Sequence, residues 1–548
     1  METTQRLLFL VTFLIHCITS VENINLRLDP LVDSNAGLIR GLHASDGDYS
    51  MFLGIPFANV NQSNPFGIAT PQEKFRNVFE AYDDSLMLCP QYQSSGIKIG
   101  DINCLFLNVY VPNSANSQNR LPVMIYIHGG SFTSGSGRIS EYGPKYLVNK
   151  GIILVSINYR LGPYGFMCLH TPDVPGNQGL KDQVLAFRWV KDNIEAFGGD
   201  VNRITLFGRS SGGISIDLHL LAEHDNLFNR VIMQSGTSLA SKVLQTPGKP
   251  DTVAPVKIAN FLGFETDSVS EALNFIAQID SHLVITTAST LNMVFKPCIE
   301  TEFNDIKPFL TKPWINTEIP KVKGMPILIG FNNKERSSQY VTKKPEYFEN
   351  LNIIHEKLDQ SFNFDDNELA EMENIVHHFY LGDEKINVTV KDEIGDFDSD
   401  CTYIHPIQRS IKQYIENSAG NIFYYMFSYS GGRNFYRARN NVTGEGAFHT
   451  DEIGYLFDVS FLSEDNEKDM LILEQMTTMW TNFAKYGDPT PATSELLPVK
   501  WTPLTEDKWN YLNIDSELSV KSRPLKERMA FWDLFYKLNE DAQRQFEG

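Results

Sequence analysis

Short runs of apolar, often β-branched residues alternate with longer helical patterns along the chain, and this alternation restricts the fold more than any other feature. Runs of three to six residues are typical of buried strands in a parallel sheet. The runs are Val123–Ile127, Ile152–Ile157, Ile204–Phe207, Val231–Met233, Ile327–Ile329 and Ile422–Phe427. After the second run, six apolar residues recur at the spacing of one helix face: Leu180, Val184, Phe187, Val190, Ile194 and Phe197. We therefore predict strand–helix–strand units and an α/β fold with a mostly parallel central sheet flanked by helices.

One of these strands leads directly into a Gly-x-Ser-x-Gly motif, residues Gly208–Gly212. The residues that follow it, Ile214, Leu218 and Leu221, recur at helical spacing. A strand, a tight turn and a helix in this order form a nucleophile elbow, in which the serine projects from the end of the sheet. We predict Ser210 to be a nucleophile, with the backbone N–H of the next residue directed at developing negative charge.

A second glycine-rich turn, His128–Phe132, follows the first predicted strand. Acyl transfer needs backbone donors for the oxyanion of its tetrahedral intermediate, and glycine lets the main chain approach the substrate. The turn on its own is equally compatible with an ordinary loop. Its occurrence together with an elbow favours an oxyanion hole.

These motifs and several others resemble those of the type-B carboxylesterase/lipase family, which is also called the carboxyl/cholinesterase family. They resemble in particular those of its secreted insect-type carboxylesterases. The resemblance extends over essentially the whole mature chain and rests on the segments Gly54–Ala58, Cys104–Tyr110, His128–Gly130, Asn158–Pro163, Pro175–Gln183, Ala196–Asp200, Gln234–Gly236 and Phe531–Phe535. It implies an α/β-hydrolase fold and a serine esterase with a Ser-His-Glu triad and an acyl-enzyme intermediate. No cofactor or metal is expected, and no Cys/His cluster has zinc spacing.

The resemblance supplies the triad partners of Ser210. The segment Gly330–Glu335 is similar to the family's acid segment and makes Glu335 the orienting carboxylate. The segment Gly446–Glu452 is similar to its histidine segment and makes His449 the general base. The order Ser, acid, His is the one that α/β-hydrolases use.

Further residues take their roles from the same resemblance. The family's three oxyanion-hole donors correspond to Gly130, Ser131 and Ser211, and Ser235 matches a serine behind the histidine. The first family disulfide corresponds to Cys89 and Cys104. The partners of Cys168, Cys298 and Cys401 stay open.

Arg209 departs from the family pattern, because most relatives carry Glu or Gln before the nucleophile. A guanidinium fixed near the elbow disfavours a second positive charge, on the histidine or on a substrate. Alternatively, Arg209 turns away and pairs with a local carboxylate. Ser211 also departs from the usual Ala.

These features favour neutral carboxylic esters as substrates. The loop Pro90–Asn103 contains no Trp that could bind a quaternary ammonium, which argues against choline esters. A juvenile hormone esterase is an alternative within the enzyme class, although such enzymes typically carry Gln at the position of Arg209. A lipase and a non-catalytic binding or adhesion protein of the same fold are further alternatives, the last disfavoured by the complete triad.

The N-terminus has the pattern of an export signal. Arg6 precedes the mostly apolar run Leu7–Ile15, and small or polar residues follow up to Ser20. The run is well short of the ~20 residues that span a bilayer. We predict a cleaved signal peptide over residues 1–20 and a secreted protein without a membrane anchor. The sequons of such a chain are candidate glycosylation sites, here Asn61, Asn387 and Asn441.

The length of 548 residues alone would suggest about three or four domains. No repeat, low-complexity tract or Pro/Gly/Ser-rich linker divides the chain, and the motifs of one active site extend from Gly130 to His449. We therefore predict a single domain over residues 21–548 with long insertions between strands. The net charge of −20 repels phosphate backbones, so nucleic acid is not an expected partner.

Overall fold

The computed structural model describes residues 29–92, 96–240, 243–245, 253–312 and 317–544, so the predicted signal peptide lies outside the described residues. A mixed sheet of eleven strands crosses the molecule. In chain order its strands are β1 Leu42–His43, β2 Tyr49–Pro56, β3 Phe106–Pro112, β4 Leu121–Ile127, β5 Ile153–Ile157, β6 Gly199–Arg209, β7 Arg230–Gln234, β8 Ile327–Asn332, β9 Ile422–Phe427, β10 Asn510–Ile514 and β11 Ser519–Ser522. Their order across the sheet is β11-β10-β9-β8-β7-β6-β4-β5-β3-β2-β1.

The centre of this sheet is parallel. Each neighbouring pair from β5 through β4 to β10 runs in the same direction, and all six predicted runs lie in this part. The prediction of a mostly parallel sheet is thus confirmed. Antiparallel strands extend it at both edges, β3 to β1 on one side and β11 on the other.

Helices cover the sheet and fill the connections. Their bounds are α1 Lys145–Val148, α2 Gly162–Phe166, α3 Gln178–Asn193, α4 Ser211–Leu221, α5 Ala254–Phe261, α6 Val269–Ile276, α7 Ser281–Thr290, α8 Pro345–Phe348, α9 Ile353–Ser361, α10 Asp366–Leu381, α11 Lys391–Ser399, α12 His405–Glu416, α13 Phe435–Asn440, α14 Glu467–Tyr486 and α15 Lys526–Leu538. The predicted amphipathic helix is α3, which a 3₁₀ turn, Ile194–Phe197, prolongs up to Gly198. A single π-helical turn, Asp400–Ile404, joins α11 to α12.

Two apolar clusters form the core, one on each face of the sheet. Successive residues of β4 show the division, since Val123 and Ile125 belong to the larger cluster while Met124 and Tyr126 belong to the other. Both faces of the central strands are therefore buried, which explains why their sequences are continuous apolar runs.

Two disulfides stabilise the connections. Cys89 is bonded to Cys104, the pair that the family resemblance implies. The second bond joins Cys168 to Cys298 across a sequence separation of 130 residues, while Cys401 carries a free thiol. No helix among the described residues has the length and apolar character needed to cross a bilayer.

Candidate active site

Ser210 lies between the end of β6 and the start of α4, with φ 54° and ψ −126°. This backbone conformation is strained for a residue other than glycine. Side chains on the flanking glycines would collide with the carbonyl oxygen of Ile127 in the neighbouring strand, at 2.7 Å from a Cβ on Gly208 and 2.1 Å from one on Gly212. The two glycines therefore let the turn pack closely against β4.

Glu335 and His449 are in direct contact. The Nδ1 of His449 lies 2.6 Å from Glu335 Oε2, and the backbone N–H of His449 donates to the Glu335 carbonyl at 3.1 Å. Glu335 is fully buried just beyond β8, where its other oxygen accepts the N–H of Asn332 at 2.8 Å. Nδ1–H thus donates to a carboxylate whose position is fixed, which leaves Nε2 as the basic nitrogen.

The hydrogen-bond partner of that Nε2 is the hydroxyl of Tyr403, at 3.4 Å. The Tyr403 ring stacks on the imidazole with 4.5 Å between centroids. No hydrogen bond joins Ser210 to His449 in the part of the chain that the structure describes. Sequence reasoning did not find Tyr403, and no motif in its segment points to it.

The three amides expected to form an oxyanion hole belong to two segments, the loop after β4 and the start of α4. Gly130 and Ser131 follow β4, and Ser211 is the first residue of α4. Within the described ranges, none of these three N–H groups donates a hydrogen bond. They are available to an oxyanion.

Arg209 contacts a tyrosine. Its guanidinium donates to the Tyr142 hydroxyl at 3.3 Å, and no ion pair with an acidic side chain occurs in the described segments. Burial lowers the pKa of Arg209, while Tyr142, Tyr126 and the charge of Glu452 raise it, so the pairing of Arg209 with a local carboxylate stays a prediction. The charge of Arg209 also acts on His128. Burial is the main reason that the pKa of His128 is lowered to about 4; the hydrogen bond with the Gly129 carbonyl raises this pKa, and the charge of Arg209 lowers it.

Ser235 lies directly after β7 with φ 52°. Its N–H donates to the Gly330 carbonyl at 2.9 Å, while its buried hydroxyl has no partner among the described residues. The place of Ser235 behind the histidine, which the resemblance implies, stays a prediction.

Comparison with known proteins agrees with this geometry. Residues 28–532 match the sequence profile of the carboxylesterase family. The chain belongs to the carboxylesterase family. It is therefore a carboxylic ester hydrolase with the α/β-hydrolase fold, as the sequence motifs predict.

Several relatives of this carboxylesterase are insect esterases. Esterase FE4 of Myzus persicae is 31% identical over 506 residues, which cover 86% of each chain. Juvenile hormone esterase of Tribolium castaneum is 29% identical over 557 residues, which cover 92% of this chain and 93% of that protein. The crystal structure of juvenile hormone esterase from Manduca sexta with OTFP covalently attached superposes with a TM-score of 0.80 at 25% identity, covering 93% of this chain and all of the other.

A second buried carboxylate, also missed from the sequence, lies close to the triad residues of this carboxylesterase. Glu452 accepts hydrogen bonds from Gln234 Nε2 at 3.0 Å and from Asn332 Nδ2 at 2.6 Å. Burial raises the pKa of Glu452, and the charge of Glu335 raises it further. Asn332 therefore connects the two carboxylates, through its backbone N–H on one side and its side chain on the other.

The three sequons differ in their surroundings. Asn61 and Asn441 are exposed. Asn387 is half-buried, and its side-chain nitrogen, the atom that carries an N-linked glycan, donates to the Lys385 carbonyl at 2.7 Å.

Proposed function

We propose that this carboxylesterase hydrolyses neutral carboxylic esters with Ser210, His449 and Glu335 as its triad. The observation that carries the proposal is the 2.6 Å contact between His449 Nδ1 and the buried Glu335. Such a carboxylate holds the imidazole in one tautomer and stabilises the imidazolium that forms in the reaction. The strained turn at Ser210 supports its role as nucleophile.

In the first half of the reaction, Ser210 Oγ attacks the ester carbonyl and its proton passes to His449 Nε2. The tetrahedral oxyanion accepts hydrogen bonds from the free amides of Gly130, Ser131 and Ser211, each of which contributes about 3–4 kcal/mol in comparable sites. His449 then protonates the leaving alcohol, and an acyl-enzyme remains. Water activated by the same histidine releases the acid.

The substrate preference follows from charge. Arg209 lies next to the nucleophile without an acidic partner in the described ranges, and this positive charge opposes cationic substrates. The structural similarity to a juvenile hormone esterase supports juvenile hormone as one ester to test.

Two experiments test this function. A fluorophosphonate probe should label Ser210 in the folded protein, and Ser210→Ala should abolish both labelling and hydrolysis. A hydrolysis panel that varies acyl and alcohol length, with volatile acetate, terpenoid and choline esters, should show turnover of neutral esters. Absence of an adduct on Ser210 would favour the non-catalytic binding protein instead.

We also propose that the chain is secreted as one domain over residues 21–548 after removal of residues 1–20, with glycans at Asn61, Asn387 and Asn441. The export pattern and the sequons support this proposal. Sequencing of the secreted product from insect cells should begin at Val21, and glycosidase treatment with peptide mapping should identify the modified asparagines. A product that retains residues 1–20 contradicts it.

A further inference from the structure

We propose that Asn332 and Asp451 are positioning residues that clamp the backbone directly before His449 and thereby fix the place of its imidazole. The clamped residue is Phe448. The inference rests on the proposed triad, in which His449 is the base. It gives a role in the reaction to two buried side chains outside the triad and the oxyanion hole.

Asn332, the last residue of β8, holds the carbonyl side of the clamp. Its Nδ2 donates to the Phe448 carbonyl at 2.7 Å and to the Glu452 carboxylate at 2.6 Å. Its backbone N–H donates to the Glu335 carboxylate at 2.8 Å. One residue therefore contacts the triad acid and the chain on both sides of His449.

Asp451 holds the N–H side of the clamp. It is fully buried, and its Oδ2 accepts the Phe448 N–H at 2.7 Å and Asn434 Nδ2 at 3.1 Å. Its Oδ1 accepts two N–H groups in the first turn of α13, those of Tyr436 at 2.9 Å and Arg437 at 3.2 Å. The carboxylate thus ties Phe448 to α13.

The backbone at the base is held at three groups. The N–H of Phe448 is bonded to Asp451 and its carbonyl to Asn332, while the N–H of His449 donates to the Glu335 carbonyl at 3.1 Å. A histidine side chain has two rotatable bonds. Because the backbone is fixed and Glu335 holds Nδ1 at 2.6 Å, Nε2 is confined to one place.

The place of Nε2 matters for the rate, because this nitrogen takes the proton of Ser210 and later gives it to the leaving alcohol. Misplacing a reacting group by about 1 Å can cost about 10²-fold in rate. Loss of the Asp451 acceptor leaves the buried N–H of Phe448 unpaired, which the segment relieves by moving. Loss of the Asn332 donors frees the same segment from β8, the strand that leads to Glu335.

The clamp requires Asp451 as a carboxylate, since only the ionised form has two oxygens that both accept freely. Burial raises the pKa of Asp451 to about 7, while the hydrogen bonds from Phe448, Asn434 and Arg437 lower it. The ionised form therefore dominates above neutral pH. Assays at about pH 8.5 test the clamp in that form.

The variants Asn332→Ala and Asp451→Asn break the clamp from its two sides. Asparagine at position 451 has one acceptor oxygen in place of two, so it cannot serve both Phe448 and α13. On a neutral aryl acetate we expect each variant to lower kcat about 10- to 100-fold with KM within about twofold of wild type. Fluorophosphonate labelling of Ser210 should slow by a similar factor. Because both residues act through one segment, the double variant should lose much less than the product of the two single losses.

The controls Asn193→Ala and Asp469→Asn alter buried side chains of the same kinds that are bonded elsewhere. Asn193 Nδ2 donates to the Trp189 carbonyl at 2.8 Å, and Asp469 accepts the Gly432 N–H at 2.9 Å. Both should lower the midpoint of thermal unfolding, as the clamp variants do. Their kcat should stay within about twofold of wild type, since they do not move the base.

A kcat within about twofold of wild type in a folded Asn332→Ala or Asp451→Asn overturns the clamp. So does a double variant whose loss equals the product of the single losses. Either result leaves the proposed triad intact when wild type is labelled on Ser210, whereas absence of labelling in wild type overturns both proposals. Thermal unfolding identifies a variant that does not fold, and Asn332→Asp, which keeps the shape of the side chain and loses its donors, then takes the place of Asn332→Ala.

Discussion

Replacing Asp398 by Asn should destabilise the protein in a pH-dependent manner. The Asp398 side chain is 1% exposed and pairs with Lys357 at 2.7 Å and Arg336 at 2.9 Å. Burial alone would raise the pKa of this carboxyl, but Lys357 and Arg336 outweigh burial and lower it from 3.8 to about 2. At about 1.4 kcal/mol per pKa unit, the carboxylate contributes about 2 kcal/mol to the free energy of unfolding.

The pH range of this contribution follows from its sign. Because the pKa of Asp398 is lower in the folded protein, the stabilisation is complete well above pH 3.8 and is lost as the pH falls through about 2. Asp398→Asn should therefore lower the free energy of unfolding by about 2 kcal/mol at pH 7 and by about half as much at pH 3. Urea titrations followed by tryptophan fluorescence measure both values.

The control is Asp359→Asn, which removes an ion pair with Arg544 in which the Asp359 side chain is 59% exposed. An exposed pair contributes little, so this variant should stay within about 1 kcal/mol of wild type at both pH values. Equal losses in the two variants would refute the reasoning. So would a loss from Asp398→Asn that does not change between pH 7 and pH 3.

Three further variants test the site and the scaffold. Glu335→Gln should reduce kcat on a chromogenic ester by about 10³–10⁴-fold, because the amide no longer holds the His449 tautomer; a loss below tenfold would contradict the triad. Arg209→Gln should raise turnover of neutral esters by removing a positive charge that opposes the imidazolium, and unchanged or lower turnover would contradict this. Replacing both cysteines of the pair Cys168–Cys298 by serine should lower the free energy of unfolding by about 5 kcal/mol, and replacing those of Cys89–Cys104 should lower it by about 3 kcal/mol, since the first disulfide closes the longer loop. Thermal unfolding measures both values, and a larger loss for Cys89–Cys104 would contradict this prediction.

The sequence predicts the parallel sheet because each of its central strands is buried on both faces and reads as an apolar run. Strand β10, which lies next to the edge strand β11 and has the sequence Asn-Tyr-Leu-Asn-Ile, has no such run and was not predicted. The elbow at Ser210 is equally local, since strand, turn and helix follow one another directly. Local sequence patterns therefore suffice to predict the fold and the nucleophile.

The rest of the site depends on contacts between distant segments. Glu335 and His449 are 114 residues apart in the sequence. From the sequence, only the resemblance to a family indicates that they act together. Cys168 and Cys298 are 130 residues apart. Tyr403 was missed for a different reason. It lies in a π-helical turn in which Asp400 is ion-paired, preceded by the ion-paired Asp398 of α11, and no spacing rule encodes such a turn.

Two buried acids at the site differ in their surroundings. Glu335 accepts a backbone N–H at 2.8 Å and faces the imidazole of His449. Glu452 accepts the side-chain amides of Gln234 and Asn332, and both burial and the charge of Glu335 raise its pKa. A raised pKa favours the neutral acid, so Glu452 adds less negative charge beside the Glu335–His449 pair.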